Sequence, residues 1–464
     1  MDEFDVAILG GGPGGYVAAI RAAQLKLKTA LVERDEVGGI CLNWGCIPSK
    51  ALLRNAEILS LFHHATDYGI QVDGVQADFG AAIDRSRGVV DRMVKGVQFL
   101  LRKHGVQTYK GSGTLRSATE IEVSDGRTLK AKHVILATGA RARDLPGIEL
   151  DRERVITSRE ALERKQMPAS AVIIGAGPVG MEFAYVWRSY GAEVTLVEAL
   201  PHLLPQEDEE ISAIAEKEFA KQGMTVLTGA KVVSARAHAN EGGAEVEVET
   251  AQGRQRLQAE VALVGIGVQG NGDGLGLEAL GVRVERSFIP VDAAMATNVP
   301  GIYAIGDVTG PPLLAHVASA QGVNCVETIA GLEPPALDYD QMPRATYCQP
   351  EVASIGLTEA QARERGLKYS VGRFPFRANG RALALAEPEG MVKLLAEQGS
   401  GDLLGVHLIG PGVTELLGEL SLARSLEATP ASLGYAVHAH PTLSEAVKEA
   451  ALSARGEVIH VWQE

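Results

Sequence analysis

Two cysteines separated by four residues are the part of this sequence best suited to chemistry. Cys41 and Cys46 lie in the run Gly-Gly-Ile-Cys-Leu-Asn-Trp-Gly-Cys-Ile-Pro-Ser-Lys, residues 38–50. On a regular helix such a pair is about 7.5 Å apart along the axis, so a disulfide requires a distorted turn, which Pro48 could supply. A disulfide closing so short a loop would stabilise a fold by only roughly 2 kcal/mol and is better suited to opening and closing. The alternative is two small apolar side chains in a core.

Other side chains could support thiol chemistry. Lys50, about one helical turn after Cys46, would place a cation near a thiolate. A thiolate, not a thiol, attacks a disulfide, so a base near neutral pH is needed, and His440 could provide it with Glu445 holding its tautomer. The alternatives for His440 are an exposed or packed bystander, or a metal ligand together with His438. No third ligand lies close by in the sequence, so we expect no metal site.

Composition limits the classes of protein. The 464 residues are enough for about three domains, and 46% hydrophobic with 22% charged residues is typical of a folded globular protein. A formal net charge of −14 argues against nucleic-acid binding. Only four cysteines occur, and Cys325 and Cys348 stand alone, so we expect both to be buried and unreactive. The sequence contains no long apolar run and no signal-like start, which predicts no membrane span and a cytoplasmic location.

The first forty residues carry a nucleotide-binding pattern. An apolar strand ending at Leu9 leads into a glycine-rich turn with Gly10, Gly12 and Gly15, then an alanine-rich helix and a second strand ending on Glu33. Glycines in this arrangement allow the tight turn, the helix N-terminus binds pyrophosphate, and the acid binds a ribose hydroxyl. The pattern predicts a dinucleotide site.

The same unit recurs later in the chain. Gly175, Gly177 and Gly180 follow another strand, and Glu198 ends the next one. The acid lies 23 residues after the first glycine in both copies (33 − 10 and 198 − 175). Two matched units predict a protein that binds two dinucleotides. No arginine occurs among residues 199–202, directly after Glu198, which favours NAD over NADP, and His202 is a weak signal in the other direction.

Two further strand ends carry candidate cofactor contacts. Thr138 and Gly139 follow the strand that ends at Leu136. Asp307 follows a short buried strand, where a carboxylate is well placed for a cofactor hydroxyl. A helix N-cap is the alternative role for Asp307.

These residues resemble the pyridine-nucleotide disulfide oxidoreductases over essentially the whole chain. The landmarks appear in order, and each is quoted as it stands here: Gly10–Gly15, Cys41–Lys50, Ala137-Thr138-Gly139, Gly175–Gly180, Gly306-Asp307, and His440-Pro441-Thr442-Leu443-Ser444-Glu445. The resemblance implies an α/β fold with two Rossmann-like dinucleotide-binding domains and a C-terminal α+β interface domain that forms a homodimer. The implied boundaries are 1–147 for FAD binding, 148–270 for NAD binding, 271–340 for a central domain completing the FAD site, and 341–464 for the interface.

The resemblance also implies a role for each candidate residue. Cys46 would lie against the flavin and form a charge-transfer thiolate, while Cys41 would exchange with the substrate sulfur. His440, oriented by Glu445, would be the base and would reach the disulfide of the other subunit. The remaining implied cofactor contacts are a Lys50–Glu182 pair beside the flavin, Asp307 on the ribityl chain, and the backbone N–H of Ala315 on the flavin ring.

Within the family, the resemblance is strongest to members that oxidise dihydrolipoamide and reduce NAD⁺. It therefore implies dihydrolipoamide on a lipoyl domain as substrate, and the acyltransferase core of a 2-oxo-acid dehydrogenase complex, or a glycine-cleavage system, as partner. One segment departs from the family pattern, because residues 265–272 lack the arginine usually found there. That difference is expected to alter the nicotinamide-cofactor loop. A redox-responsive binding protein is a different possibility, and His440 with Glu445 count against it because a switch needs no base.

Overall fold

A computed structural model describes residues 2–238 and 242–462 of the chain. Its strands, in chain order, are β1 (Asp2–Leu9), β2 (Thr29–Glu33), β3 (Gln107–Lys110), β4 (Gly113–Ser117), β5 (Glu120–Val123), β6 (Thr128–Leu136), β7 (Ala140–Ala142), β8 (Val155–Ile156), β9 (Ser170–Ile174), β10 (Glu193–Val197), β11 (Thr225–Leu227), β12 (Lys231–Ala237), β13 (Ala244–Thr250), β14 (Gly253–Ala259), β15 (Val261–Val264), β16 (Val268–Gly270), β17 (Ile302–Ala304), β18 (Arg344–Thr346), β19 (Glu351–Gly356), β20 (Tyr369–Pro375), β21 (Met391–Glu397) and β22 (Leu403–Gly410).

Its α-helices are α1 (Pro13–Gln24), α2 (Gly39–Trp44), α3 (Cys46–His63), α4 (Phe79–Lys103), α5 (Ser158–Ala161), α6 (Pro178–Ser189), α7 (Glu209–Lys221), α8 (Ala315–Ile329), α9 (Glu359–Glu364), α10 (Gly380–Ala384), α11 (Val413–Ser425), α12 (Pro430–Tyr435) and α13 (Glu445–Ala454). The chain forms two compact units, the first from residues 1–51, 83–144 and 266–339, the second from residues 52–82, 145–265 and 340–464.

The first unit is built on a mainly parallel sheet. Strands β3, β2, β1 and β6 lie side by side in parallel. β17 pairs in parallel with the last residues of β6, and β5 of the antiparallel pair β4–β5 pairs with its first residues. The segment Val6–Leu9 of β1 is buried, as expected for a parallel strand covered on both faces. The carboxyl ends of β1, β6 and β17 therefore meet at one edge of the sheet.

Two helices of this unit approach each other closely through small residues. A Cβ placed on Gly322 of α8 would lie 2.7 Å from the carbonyl oxygen of Gly14 in α1, and a Cβ on Gly14 would lie 3.1 Å from the carbonyl oxygen of Ala318. The Ser319 hydroxyl contacts the carbonyl oxygen of Pro13 at 3.4 Å. This packing holds the first turn of α8 beside the N-terminus of α1.

The second unit contains a second parallel sheet and an antiparallel one. The parallel sheet has the order β11-β10-β9-β15-β8 and carries the second glycine-rich turn after β9. Strands β12 to β14 form an antiparallel meander. Strands β18 to β22 form an antiparallel sheet in the order β18-β19-β22-β21-β20, and α11 and α13 supply residues to its core. The predicted fold class, with two Rossmann-like sheets and a C-terminal α+β region, is confirmed.

Both glycine-turn helices begin earlier than the apolar pattern indicated. In the sequence the helical apolar patterns begin at Tyr16 and Met181, whereas α1 begins at Pro13 and α6 at Pro178. Proline at the first helical position lacks only an N–H that has no partner within the helix, and its fixed φ suits the helix. None of the helices in the described residues is long and apolar enough to cross a membrane.

Candidate active site

Cys41 and Cys46 are joined by a disulfide across a break between two helices. α2 ends one residue before Gly45 and α3 begins one residue after it, and Gly45 itself has φ −146° and ψ −115°. The two cysteine Cα atoms are 4.6 Å apart, well inside disulfide range. A Cβ on Gly45 would lie 3.0 Å from the carbonyl oxygen of Ile40, so glycine allows this close turn. The distortion thus lies at Gly45, and Pro48 occupies the first turn of α3.

The start of α2, the helix that carries Cys41, packs against the first glycine-rich turn. A Cβ on Gly39 would lie 2.7 Å from the Cα of Gly12, and the N–H of Gly38 donates to the carbonyl oxygen of Gly11 at 2.8 Å. The buried Asn43 amide donates to the carbonyl oxygen of Gly39 at 3.0 Å and so fixes the start of α2. Because of these contacts the half-buried disulfide lies next to the predicted FAD turn.

The predicted ribose acids hold their own turns in the same way. Glu33 accepts the N–H of Gly11 at 2.6 Å and that of Asp35 at 2.7 Å. Glu198 accepts the N–H of Ala176 at 2.8 Å and that of Leu200 at 2.9 Å. Each carboxylate is thereby fixed at the end of its strand, beside the turn it was predicted to serve.

The glycines of each turn permit contacts that a side chain would block. Gly10 has φ +104°, and a Cβ there would lie 2.2 Å from the carbonyl oxygen of Ala137. A Cβ on Gly15 would lie 1.9 Å from the carbonyl oxygen of Gly10. In the second turn, Gly175 has φ +98° and a Cβ on Gly180 would lie 1.9 Å from its carbonyl oxygen.

Open space remains where a pyrophosphate would lie. Gly12 and Gly177 are the N-caps of α1 and α6, and neither has a side-chain cap on the first-turn N–H groups. A Cβ on Gly177 would meet no atom within 4 Å, and one on Gly12 would meet its nearest neighbour at 4.0 Å. Free N–H donors at a helix N-terminus with room in front of them fit the phosphates of FAD and NAD.

The other predicted FAD contacts lie at the same sheet edge. Thr138 and Gly139 follow β6, and Asp307 follows β17, whose Ala304 is the register partner of Leu136 in β6. Asp307 belongs to a 3-10 turn whose N-cap is the preceding Ile305, so it is not a helix N-cap. Burial raises the pKa of the Asp307 carboxyl.

Ala315 is the first residue of α8, where the backbone N–H has no partner within the helix. It therefore offers the donor that was predicted for the flavin ring.

A cavity of about 470 Å³ opens beside this edge. Its lining includes three predicted residues, Gly10, Glu33 and Thr138. The polar lining and the fixed ribose acid fit the adenosine half of a flavin dinucleotide.

His440 and Glu445 form a hydrogen-bonded pair in the second unit. His440 Nδ1 lies 2.9 Å from Glu445 Oε1, and the N–H of Thr442 donates to Glu445 Oε2 at 2.8 Å. Burial alone would raise the pKa of Glu445, but these two bonds outweigh it and hold the pKa below its usual value. The carboxylate is thus ionised at neutral pH, while the His440 ring is 79% exposed and free to reach another chain.

Three further residues named from the sequence are His438, Cys325 and Cys348. His438 Nε2 is bonded to Glu419 Oε1 at 2.8 Å, and no group of three His, Cys, Asp or Glu suited to a metal occurs among the described residues. Cys325 and Cys348 are buried, as predicted, and neither forms a disulfide; burial raises the pKa of Cys325. His202 Nδ1 bonds the carbonyl oxygen of Leu203 at 3.0 Å.

Lys50 and Glu182 both lie on helices, Lys50 on α3 and Glu182 on α6. Lys50 is one turn after Cys46 on α3, in the first unit. Glu182 is buried near the start of α6 in the second unit and accepts the N–H of Tyr347 at 3.1 Å. Their predicted pairing stays a prediction.

The sequence pattern missed several residues of the cavity. Gly111, with φ +142°, follows the end of β3, and Asn271 is tied to Thr138 by two hydrogen bonds of 2.8 and 2.9 Å. A glycine directly after a strand was a usable signal for Gly111. Asn271 and Arg141 had no local signal, because their place in the cavity depends on the pairing of β7 with β16.

Family models agree with this arrangement over nearly the whole chain. The pyridine nucleotide-disulphide oxidoreductase model matches residues 4–322, and the dimerisation domain of the same family matches residues 342–451. The chain belongs to this family.

Similar proteins support the membership. A dihydrolipoyl dehydrogenase of Rhizobium etli is 47% identical, with 99% of both chains covered, and one of Mycobacterium bovis is 48% identical, with 97% of both covered. Among solved structures, LpdA from Mycobacterium tuberculosis has a TM-score of 0.89 and 28% identity over 97% of this chain and 99% of its own. The HOCl-induced flavoprotein disulfide reductase RclA from Escherichia coli has a TM-score of 0.86 and 25% identity over 96% and 99%.

Membership in the pyridine nucleotide-disulphide oxidoreductases confirms three predictions made from the sequence. The chain is an oxidoreductase, its cofactors are FAD and NAD, and its C-terminal region is a dimerisation domain. The two glycine-rich turns and the disulfide are the features that this family membership explains.

Proposed function

We propose that the chain is a dihydrolipoyl dehydrogenase, which oxidises dihydrolipoamide to lipoamide and reduces NAD⁺. The observation that carries this proposal is the half-buried disulfide Cys41–Cys46, held at a helix break against the glycine-rich turn at Gly12. The full-length relatives named dihydrolipoyl dehydrogenase support the same substrate.

The cysteines would carry the electron pair. A thiolate of dihydrolipoamide attacks Sγ of Cys41, and Cys46 leaves as a thiolate. The second substrate sulfur then attacks the substrate sulfur of the mixed disulfide, which releases lipoamide and the Cys41 thiolate. The substrate has lost two electrons and the cysteine pair has gained them. FAD bound beside the Gly12 turn would supply the two-electron chemistry that links this electron pair to NAD⁺.

His440 would hold the proton that the substrate thiol loses. The ionised Glu445 fixes the imidazole through Nδ1 at 2.9 Å, which leaves Nε2 to face the substrate and stabilises the imidazolium that forms. Since the ring is exposed, we infer that it serves the disulfide of the partner subunit in a homodimer. A monomer would then lack a complete site.

The cofactor residues keep their proposed assignments. FAD would be held by Gly10, Gly12, Gly15, Glu33, Thr138, Gly139, Asp307 and Ala315, with Lys50 and Glu182 beside its ring. NAD would be held by Gly175, Gly177, Gly180 and Glu198. The carboxylate of Glu198 would accept ribose hydroxyls and repel a 2′-phosphate, so NADP should be a poor substitute.

Partners and organisation complete the proposal. The substrate would be carried on a lipoyl domain attached to the acyltransferase core of a 2-oxo-acid dehydrogenase complex, in the cytoplasm. The FAD, NAD, central and interface domains would span residues 1–147, 148–270, 271–340 and 341–464.

The test is an anaerobic assay of purified, FAD-loaded protein for NADH formation from dihydrolipoamide and NAD⁺. NADP⁺ and reduced glutathione serve as control substrates, and Cys46→Ser is compared with Cys325→Ala, a change at a buried free cysteine. We expect NAD-selective turnover that Cys46→Ser abolishes without loss of FAD, while Cys325→Ala keeps most of it. Reduction of bound FAD without sustained NADH formation would instead support the redox-responsive binding protein.

A further inference from the structure

The cavity beside the first sheet is lined by an arginine that belongs to none of the motifs found in the sequence. Its lining carries two carboxylates, Glu33 and Asp273, and two arginines, Arg34 and Arg141. The Arg34 side chain is 61% exposed and pairs at 3.6 Å with Asp35, a residue that does not line the cavity. Arg141 is therefore the cation that the cavity holds most firmly.

Arg141 is held in place by the segment that lacks the family arginine. It lies on β7, opposite Gln269 on β16 in the antiparallel register. Its guanidinium donates to Asn271 Oδ1 at 3.0 Å and to Asp273 Oδ2 at 2.6 Å. With the Gln269 amide turned so that its oxygen faces the guanidinium, that oxygen also accepts from Nε at 3.0 Å. The N–H edges of the guanidinium are thus engaged by residues 269–273.

An arginine held by its N–H edges presents its flat face and its charge to the space it lines. A guanidinium face stacks well on a planar heterocycle, and its charge complements a phosphate. Both groups belong to the adenosine diphosphate half of FAD, and the neighbouring Glu33 is placed for the ribose of the same half.

We propose that Arg141 is a binding residue for the adenosine diphosphate half of FAD, and that Gln269 and Asn271 position it. The segment 265–272 then contributes to flavin binding from its own side chains, although it lacks the usual arginine. This inference rests on the proposed function, in which FAD takes up the electrons from the cysteine pair.

Calorimetric titration of the apoprotein tests the proposal. FAD, ADP and FMN are the probes, because ADP is the half in question and FMN contains only the other half. We expect Arg141→Gln to lower the affinities for FAD and for ADP by similar factors of about ten, and to leave the affinity for FMN unchanged. Arg141→Lys should lower the affinities for FAD and ADP less, because it keeps the charge. The matched control Arg92→Gln removes the same charge from an exposed position on α4 and should bind FAD normally.

A second variant distinguishes a role of Arg141 in FAD binding from a role in holding β7 and β16 together. Asp273→Asn removes the ion pair but leaves the guanidinium in the cavity, so FAD should bind as well as to wild type or more tightly. If Asp273→Asn weakens FAD binding as much as Arg141→Gln does, Arg141 only holds β7 and β16 together and the inference is wrong. The inference is also wrong if Arg141→Gln binds FAD within twofold of the wild-type affinity. It is likewise wrong if this variant loses affinity for FAD but not for ADP. A wild-type chain that binds no FAD would overturn the proposed function itself.

Discussion

Single residues decide whether the thiol chemistry can occur. Gly45 allows the chain to turn back so that Cys41 and Cys46 bond, and the carboxylate of Glu445 fixes one nitrogen of His440. The two sites differ in exposure, since the disulfide is half-buried and the His440 ring is largely exposed. A base that faces solvent and a disulfide that faces the cofactor turn are compatible with a substrate arriving from outside the subunit.

Replacing His440 tests the base directly. We expect His440→Ala to lower the rate of dihydrolipoamide oxidation by about a hundredfold or more, because the substrate thiol would lose its proton acceptor. Reduction of ferricyanide by NADH should stay near the wild-type rate, since it bypasses the dithiol. Stopped-flow and steady-state assays of both reactions provide the comparison, with His63→Ala at the exposed end of α3 as control. Near-normal dihydrolipoamide oxidation in His440→Ala would remove His440 from the mechanism.

At the scale of elements, a buried lysine joins the start of α7, the start of α9 and strand β21. The Lys393 side chain is 1% exposed, and Nζ lies 2.8 Å from Asp208, 2.8 Å from Glu210 and 2.7 Å from Glu359. Burial would lower the pKa of Lys393, but the three carboxylates outweigh it and raise the pKa. Asp208 is also the N-cap of α7. One side chain therefore orients two helices on the C-terminal sheet.

Lys393→Met should strongly destabilise the fold. Removing the ammonium leaves the buried Asp208 carboxylate without its ion-pair partner, and the loss of one partner of a buried pair costs about 3–5 kcal/mol. Denaturant titration followed by circular dichroism measures the loss, and Lys368→Met at an exposed position is the control. Equal stability of the two variants would mean that the cluster contributes nothing.

The same region gives the fold an acid-sensitive element. His407 on β22 is fully buried with Nε2 2.8 Å from the carbonyl oxygen of Leu357, and burial lowers its pKa. Since the unfolded histidine gains a proton below about pH 6.5 and the buried one resists it, stability should fall as pH drops below that value. Glu210, whose pKa is lowered to about 2 by Arg373 despite opposing burial and with further help from Lys393, adds stability that is complete above about pH 4.3 and is lost toward pH 2.

The His407 contribution can be isolated between pH 6.5 and 5. His407→Gln keeps a side chain that can hydrogen-bond but cannot titrate, so the slope of unfolding free energy against pH in this window should be flatter than in wild type. Denaturant titrations at several pH values measure the slope. An unchanged slope would show that another group controls acid stability.

At the scale of the whole molecule, the exposed apolar surface of the C-terminal region fits the dimerisation domain. Large hydrophobic side chains are strongly exposed there: Leu422, Leu426, Tyr435, Val437, Ile459 and Trp462. Apolar exposure of this extent on one region is typical of a protein–protein interface. The proposed homodimer would cover part of it and bring each His440 to the partner's disulfide.

Mixed dimers test the shared site. Cys46→Ser and His440→Ala proteins, each inactive with dihydrolipoamide, are unfolded together and refolded with FAD. If each site takes its cysteines from one subunit and His440 from the other, half of the dimers contain one intact site, and activity should recover to about a quarter of wild type. A site built within one subunit would give no recovery, and each variant refolded alone is the control.

The nucleotide turns were determined by the sequence itself. Gly10, Gly15 and Glu33 lie within one strand–turn–helix–strand unit, and their requirements are local: a positive φ, a close backbone approach and a carboxylate at the next strand end. The copy at Gly175 obeys the same rules. Short-range sterics and hydrogen bonds therefore fixed the fold class and the cofactor turns, whereas the exact helix starts depended on the prolines after Gly12 and Gly177.

Only the tertiary structure decided how distant segments meet. Asp307 and Thr138 lie at the same edge of the sheet because β17 pairs with β6, and Arg141 lines the cavity because β7 pairs with β16. No local pattern in the sequence distinguishes Lys393 from an exposed lysine on a strand, and only tertiary packing buries it among three carboxylates. Such contacts depend on strand pairing and helix docking between residues far apart in the chain, and these are set by the burial of whole elements rather than by any local pattern.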